Sequence, residues 1–119
     1  MVLRALAPDL GRGEPSRRVK SAVRGIIELE IEFNTRSRPL DESAMRRLYE
    51  RLRGVYGIGD KTAHLIIYDL IRLHGFPVFE ELGPHRELIE KLRLLGISEP
   101  EKLFKPKDWP YVDAALWDL

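Results

Sequence analysis

Gly57-Ile58-Gly59-Asp60-Lys61 is the stretch of this chain whose residue types could do chemistry. Two glycines separated by one residue let a backbone turn come close to another molecule, because neither carries a Cβ. Where such a turn runs straight into a helix, the first-turn N–H groups and the positive end of the helix dipole make a place for an anion, above all a phosphate. Lys61 adds a cation there. The dipole and any burial disfavour an ammonium in that first turn, and a lysine amine freed of its proton is a nucleophile that forms Schiff bases. The plainer role for Lys61 is an ion pair with a phosphate or a surface carboxylate.

Two basic groups could contact phosphates near this turn: Arg46, Arg47, Arg51 and Arg53 just upstream, and Arg17, Arg18, Lys20 and Arg24 further back. Each group would serve equally as a solvated helix face. The first adjoins the turn and is the better candidate. His64, His74 and His85 are the three histidines, and their spacing fits no metal motif. Trp109, Tyr111 and Trp117 could stack on bases, although aromatics on a terminal helix more often complete a core.

Helices must position these residues. Residues 1–15, broken by Pro8, Gly11, Gly13 and Pro15, read as an irregular arm, and residues 16–119 as one helical domain. Ser16 is a plausible N-cap for a helix from Arg17 to about Phe33, with Val19, Ala22, Val23, Ile26, Ile27 and Ile31 at helical spacing. Asp41 caps the helix that Gly54 ends, with Ala44, Leu48 and Leu52 facing inward. The next helix runs from about Asp60 to Leu73, and its Leu65, Ile66, Ile67, Leu70 and Ile71 imply deep burial. Gly83-Pro84 is expected to open a fourth helix, with Pro at its first position and a stripe of Leu88, Ile89, Leu92 and Leu95. Short helices from about Ser98 and Asp108 follow, the last ending at Trp117. With no strand pattern, the fold class is all-α, about five to six helices, with a core of Leu65, Ile66, Leu70, Leu88, Leu92 and Leu116.

The stretch Val55-Tyr56-Gly57-Ile58-Gly59-Asp60-Lys61-Thr62-Ala63, set between two helices, resembles the helix–hairpin–helix of the HhH-GPD DNA glycosylases. That family's hairpin reads Leu-Pro-Gly-Val-Gly-x-Lys-Thr-Ala, and Tyr56 replaces its proline. Trp109-Pro110-Tyr111-Val112-Asp113-Ala114-Ala115-Leu116-Trp117 looks like a late helix of some archaeal members, so the likeness covers roughly residues 40–119. The resemblance implies base-excision repair, with non-specific DNA binding through Tyr56, Gly57, Ile58, Gly59, Lys61 and Thr62, supported by the four arginines of the preceding helix. It also implies Lys61 as nucleophile of a glycosylase or abasic-site lyase, and a monovalent cation held by turn carbonyls such as those of Val55 and Gly57. The family's catalytic Asp stands in a Val-Asp-x-His context. Here His85 is kept but Gly83 occupies the Asp position, leaving Glu80 and Glu81 as the carboxylates near that site. Such hairpins also occur in proteins that only grip DNA, so a non-catalytic DNA-binding or protein-interaction module is the alternative. The stretch before the hairpin is short for this family, which suggests a trimmed member, a fragment, or a site completed by a second copy or a partner.

Composition narrows the classes. At 119 residues without cysteine, the chain offers one core, no disulfide, no thiolate zinc site and no Cys-ligated cluster, and no cofactor is expected. No apolar run approaches the roughly 18 residues that cross a membrane, and the N-terminus does not read as a secretory signal, so the expectation is cytoplasmic. Glutamine is absent, Asn34 is the lone asparagine, and 33% of residues are charged, a pattern of thermophiles. The net charge of +1 predicts no particular partner, but 13 Lys/Arg against 9 Asp/Glu in residues 1–61 place the basic excess on the hairpin side.

Overall fold

Helix-capping chemistry fixes most of the element boundaries. A computed structural model of the chain describes residues 16–35 and 40–117, and the expected N-terminal arm lies outside them. The described residues form α1 (Arg17–Phe33), α2 (Glu42–Arg53), α3 (Asp60–His74), α4 (Arg86–Leu94), α5 (Pro100–Leu103) and α6 (Trp109–Trp117), with a 3₁₀ turn at Pro106–Asp108 and no strand. Ser16 Oγ accepts from the Val19 N–H at 3.2 Å, and Asp41 Oδ1 from the Ala44 N–H at 2.7 Å, so two of the expected N-caps are in place. Asn34 closes α1 in the left-handed conformation, and Gly75 closes α3 in the same way. No helix among the described residues is long and apolar enough to cross a membrane.

The packing centres on α3. It lies against α2, α4 and α6, while α1 covers the far side of α2. Met45, Leu48 and Leu52 of α2 meet Ile66, Ile67 and Leu70 of α3, all fully buried, and Ala22, Ile26 and Leu29 of α1 complete that side. Phe79 and Leu82 in the α3–α4 connection, Leu88 and Leu92 of α4, and Trp109 fill the other. Burial of this many large apolar side chains drives the assembly. Glu30 and Thr35 are also buried, and their side-chain oxygens have no hydrogen-bond partner among the described residues.

Four expectations need correction. Ile31 is 70% exposed, because it sits well around the helix from the buried face carried by Ala22, Ile26 and Leu29. Leu65 and Leu116 only pack on the edge of the core. Helix α4 begins at Arg86 rather than Pro84, because the buried His85 takes the N-cap, its Nδ1 accepting from the Leu88 N–H at 3.2 Å. Leu95 is exposed because Gly96 turns the chain at positive φ and the Ile97 N–H bonds back to the Leu92 carbonyl, so Ile97 packs on the core instead.

Candidate nucleic-acid interface

The turn between α2 and α3 spans residues 54–59. Gly54 caps α2 through its N–H, the Ile58 N–H bonds the Val55 carbonyl at 3.1 Å, and Ile58 plugs the turn into the core. The two glycines of the motif serve opposite ends. Gly57 has φ +96°, and a Cβ there would lie 2.2 Å from the Arg18 carbonyl of α1. The close approach at Gly57 is therefore taken by the chain's own backbone. Gly59 is the N-cap of α3, in extended conformation with no side-chain cap, and a Cβ there would meet nothing within 4 Å. It is the open glycine, and the first-turn amides of α3 follow it. Tyr56, where the family has proline, is 64% exposed at the tip. Thr62 is half-buried. The Val55 carbonyl proposed for a cation is already engaged within the turn.

The two basic groups differ. Arg46 bonds Glu81 at 2.8 Å, Arg51 bonds Glu32 at 2.6 Å, and Arg53 lies 3.6 Å from Asp60 and over the Tyr49 ring. Arg47 donates to Ser43. Three of these four arginines are thus facing carboxylates. Arg17, Arg18, Lys20 and Arg24 form no ion pair among the described residues, and all are exposed on the first turns of α1, whose Arg18 backbone abuts Gly57. No acidic residue sits in that first turn. Cations there oppose the helix dipole, and an arriving anion would relieve this.

Lys61 points toward α4 and α6. Its Nζ lies 2.7 Å from Glu87 Oε2 and 4.8 Å from the centroid of the Trp117 ring. Lys91, one turn after Glu87 on α4, lies 3.8 Å from Glu87 Oε1 and 3.8 Å from the same ring. The Lys61 hydrogen bond is the main reason that the Glu87 carboxyl is held below the usual carboxylate range. Glu81 is held low by its hydrogen bond to Arg46, and the Glu80 N–H donates to Glu42, so both of these carboxylate-bearing residues attach to the start of α2. The carboxylate beside the Lys61 amine is Glu87. Nothing local in the sequence marks it for that role, since it lies in the first turn of a different helix, and only its spacing to Lys91 is readable as a helical pair.

Beneath Lys61 lies a buried polar network. His64 Nδ1 donates to the Asp60 carbonyl at 2.8 Å, leaving Nε2 to accept from the Tyr49 hydroxyl at 3.1 Å. His85 Nδ1 accepts from Leu88, so its Nε2–H donates to Asp113 at 2.9 Å. Tyr68 donates to the Gly83 carbonyl at 2.7 Å. Burial lowers the pKa of His64 and raises that of Tyr68. These residues tie α2, α3, α4 and α6 together and keep the loop through Gly83 closed on α3. Of the three aromatic residues considered for stacking, Trp109 is core, whereas Tyr111 and Trp117 are 56% and 54% exposed. Among the described residues no group of acidic, His or Cys side chains is placed to hold a metal ion. No family model, curated protein or solved structure matches this chain.

Proposed function

We propose that this protein binds the sugar–phosphate backbone of DNA, without base preference, through the turn at Gly57–Gly59 and the first turn of α3. The observation that carries this reading is the open, uncapped N-terminus of α3 at Gly59, two residues past Gly57, against which Arg18 of α1 packs. Phosphate would accept from the α3 amides with Arg18 beside it, while the exposed Arg17, Lys20 and Arg24 of the same helix end add longer-range attraction. Such binding weakens steeply with salt, as released counterions demand. The resemblance of residues 55–63 to the glycosylase hairpin supports a role in base-excision repair.

A second reading adds catalysis, and one observation favours it: the Lys61 amine has a carboxylate at 2.7 Å, from Glu87, although Gly83 stands at the family's Asp position. In this reading the Lys61 amine attacks C1′ of a damaged nucleotide as the base leaves with the glycosidic electron pair, or adds to the C1′ aldehyde of an abasic one with loss of water, and Glu87 accepts the amine's proton or steadies positive charge at that carbon.

Fluorescence anisotropy with duplex DNA over a salt series tests the first reading. Gly59→Asp should abolish binding, because its carboxylate occupies the anion position. Full affinity in that variant would remove the turn from the interface. Borohydride trapping on abasic DNA tests the second. Trapping lost in both Lys61→Ala and Glu87→Gln supports it, and trapping unchanged in Lys61→Ala refutes it.

A further inference from the structure

Helix α6 is apolar on every side, and its one charged residue, Asp113, is buried. A helix of that kind is ordinarily covered all round, but only half of α6 is. Pro110, Asp113, Ala114 and Trp117 line the cleft against α3, and Trp109 is core. On the other side Tyr111, Val112 and Ala115 follow Asp108 at helical spacing, so they form one stripe. With Phe104 this stripe walls an open depression of about 390 Å³. Tyr111 is 56% exposed, Ala115 is exposed, and Val112 and Phe104 are half-buried. In a chain that is 33% charged, α6 therefore turns an uncharged face to solvent.

We infer that a second copy of the chain covers this face, the two α6 helices packing antiparallel about a twofold axis. The contact is independent of DNA binding. Two matches select a copy of the chain over an unrelated protein. The first is of size. Tyr111 and Ala115 stand one turn apart on the stripe, so antiparallel pairing lays each Tyr111 ring over the Ala115 of the other copy, where the small side chain lets the helices approach.

The second match is of charge. Lys105 and Lys107 are exposed just before α6 and join no ion pair among the described residues. Cations at a helix N-terminus oppose its dipole, and no basic residue stands in the last turn of α6 to offset the other end. An antiparallel copy sets the lysines of each chain against the negative helix end of the other. Asp108 accepts from the Lys105 N–H at 2.8 Å, and one carboxylate beside two ammoniums still leaves a positive surplus. Lys61 and Lys91 lie against Trp117, which projects from the opposite side of α6. A helix of nine residues is about 14 Å long, so the contact falls short of the roughly 800 Å² per partner of a standard interface, and the dimer is a weak one.

Sedimentation velocity of the full chain from about 5 to 500 μM spans the range in which so small an interface associates. The chain should pass from monomer to dimer across that range. Tyr111→Arg should raise the dissociation constant at least about tenfold, the scale of losing one aromatic anchor. Lys107→Glu should raise it about two- to fivefold, the scale of one charge at a helix end. Ala115→Leu adds apolar surface, which would strengthen an unspecific contact, but it overfills the seat of Tyr111 and should weaken this one. The native chain has no cysteine, so a mixture of Tyr111→Cys and Ala115→Cys chains reports the pairing directly. It should oxidise to the mixed disulfide faster than to either self-pair. A chain that stays monomeric throughout overturns the antiparallel dimer. So does a dimer that all three surface variants leave unchanged, one that Ala115→Leu strengthens, or self-pairs that form as fast as the mixed pair.

Discussion

Two polar clusters sit within a turn of each other on α3, and they are built on opposite principles. His64, Tyr49, His85, Asp113 and Tyr68 are buried or half-buried, and each is spoken for by a named partner. Lys61, Glu87, Lys91 and Trp117 are partly exposed and share one anion among two cations. A polar group that is buried and satisfied cannot change partners without desolvation loss. A half-solvated ion pair contributes little to stability and exchanges easily. Adjacent polar clusters thus divide into one that holds the helices and one whose partners exchange with solvent. The turn repeats the division, with Gly57 filled by α1 and Gly59 open.

The sharpest way to break this comparison is to remove one anion from each cluster. Asp113→Ala leaves the buried His85 N–H without its acceptor and should cost about 2–4 kcal/mol in denaturant unfolding. Glu87→Ala should leave the unfolding midpoint essentially in place. Equal losses would put both clusters in the same structural class. Next in size is Gly57→Ala, which meets both a positive φ and the Arg18 carbonyl and should cost about 2–3 kcal/mol, against at most about 1 kcal/mol for Gly59→Ala. A smaller effect concerns His64, whose pKa burial holds below the ordinary 6.5. Above that pH the imidazole is neutral in both states and stability is full. As pH falls below 6.5 the unfolded chain takes the proton first, so stability declines until the folded His64 protonates as well. His64→Gln should flatten this part of the stability–pH curve, and an unchanged slope would show that His64 does not set it. Smallest in stability is Gly59→Asp, which should gain about 0.3–1 kcal/mol by capping α3 while losing DNA affinity. A variant both more stable and unable to bind would separate the open region from the filled one.

How far the sequence leads depends on whether a feature is local. Ser16, Asp41, Gly54 and Gly75 act on amides and carbonyls within a few residues of themselves, so three helices are readable nearly to their ends. The start of α4 is not, because Pro84 is a good first helical residue, whereas His85 takes the cap with a ring that Asp113 of α6 holds in place. The lysine at the candidate site is legible from its motif. Its carboxylate is not, because proximity to Gly83 points to Glu80 and Glu81, whereas the Glu81 carboxylate pairs with Arg46 and the Glu80 N–H with Glu42, both of α2. The same blindness applies to the arginines of α2, where the partners Glu32, Glu81 and Asp60 come from other elements or from across the turn.

Gly25 lies in the middle of α1, where a glycine weakens a helix, and a Cβ there would strike Val55 of the turn at 2.4 Å. Together with the Arg18–Gly57 approach, this pins the turn to α1 at two points. In the DNA-backbone reading proposed above, a loop already held in shape loses little conformational entropy on association. Its on-rate is then set by diffusion and electrostatic attraction rather than by rearrangement, so variants that spare these contacts should alter residence time more than capture rate. Loosening them through Val55→Ala should instead slow capture.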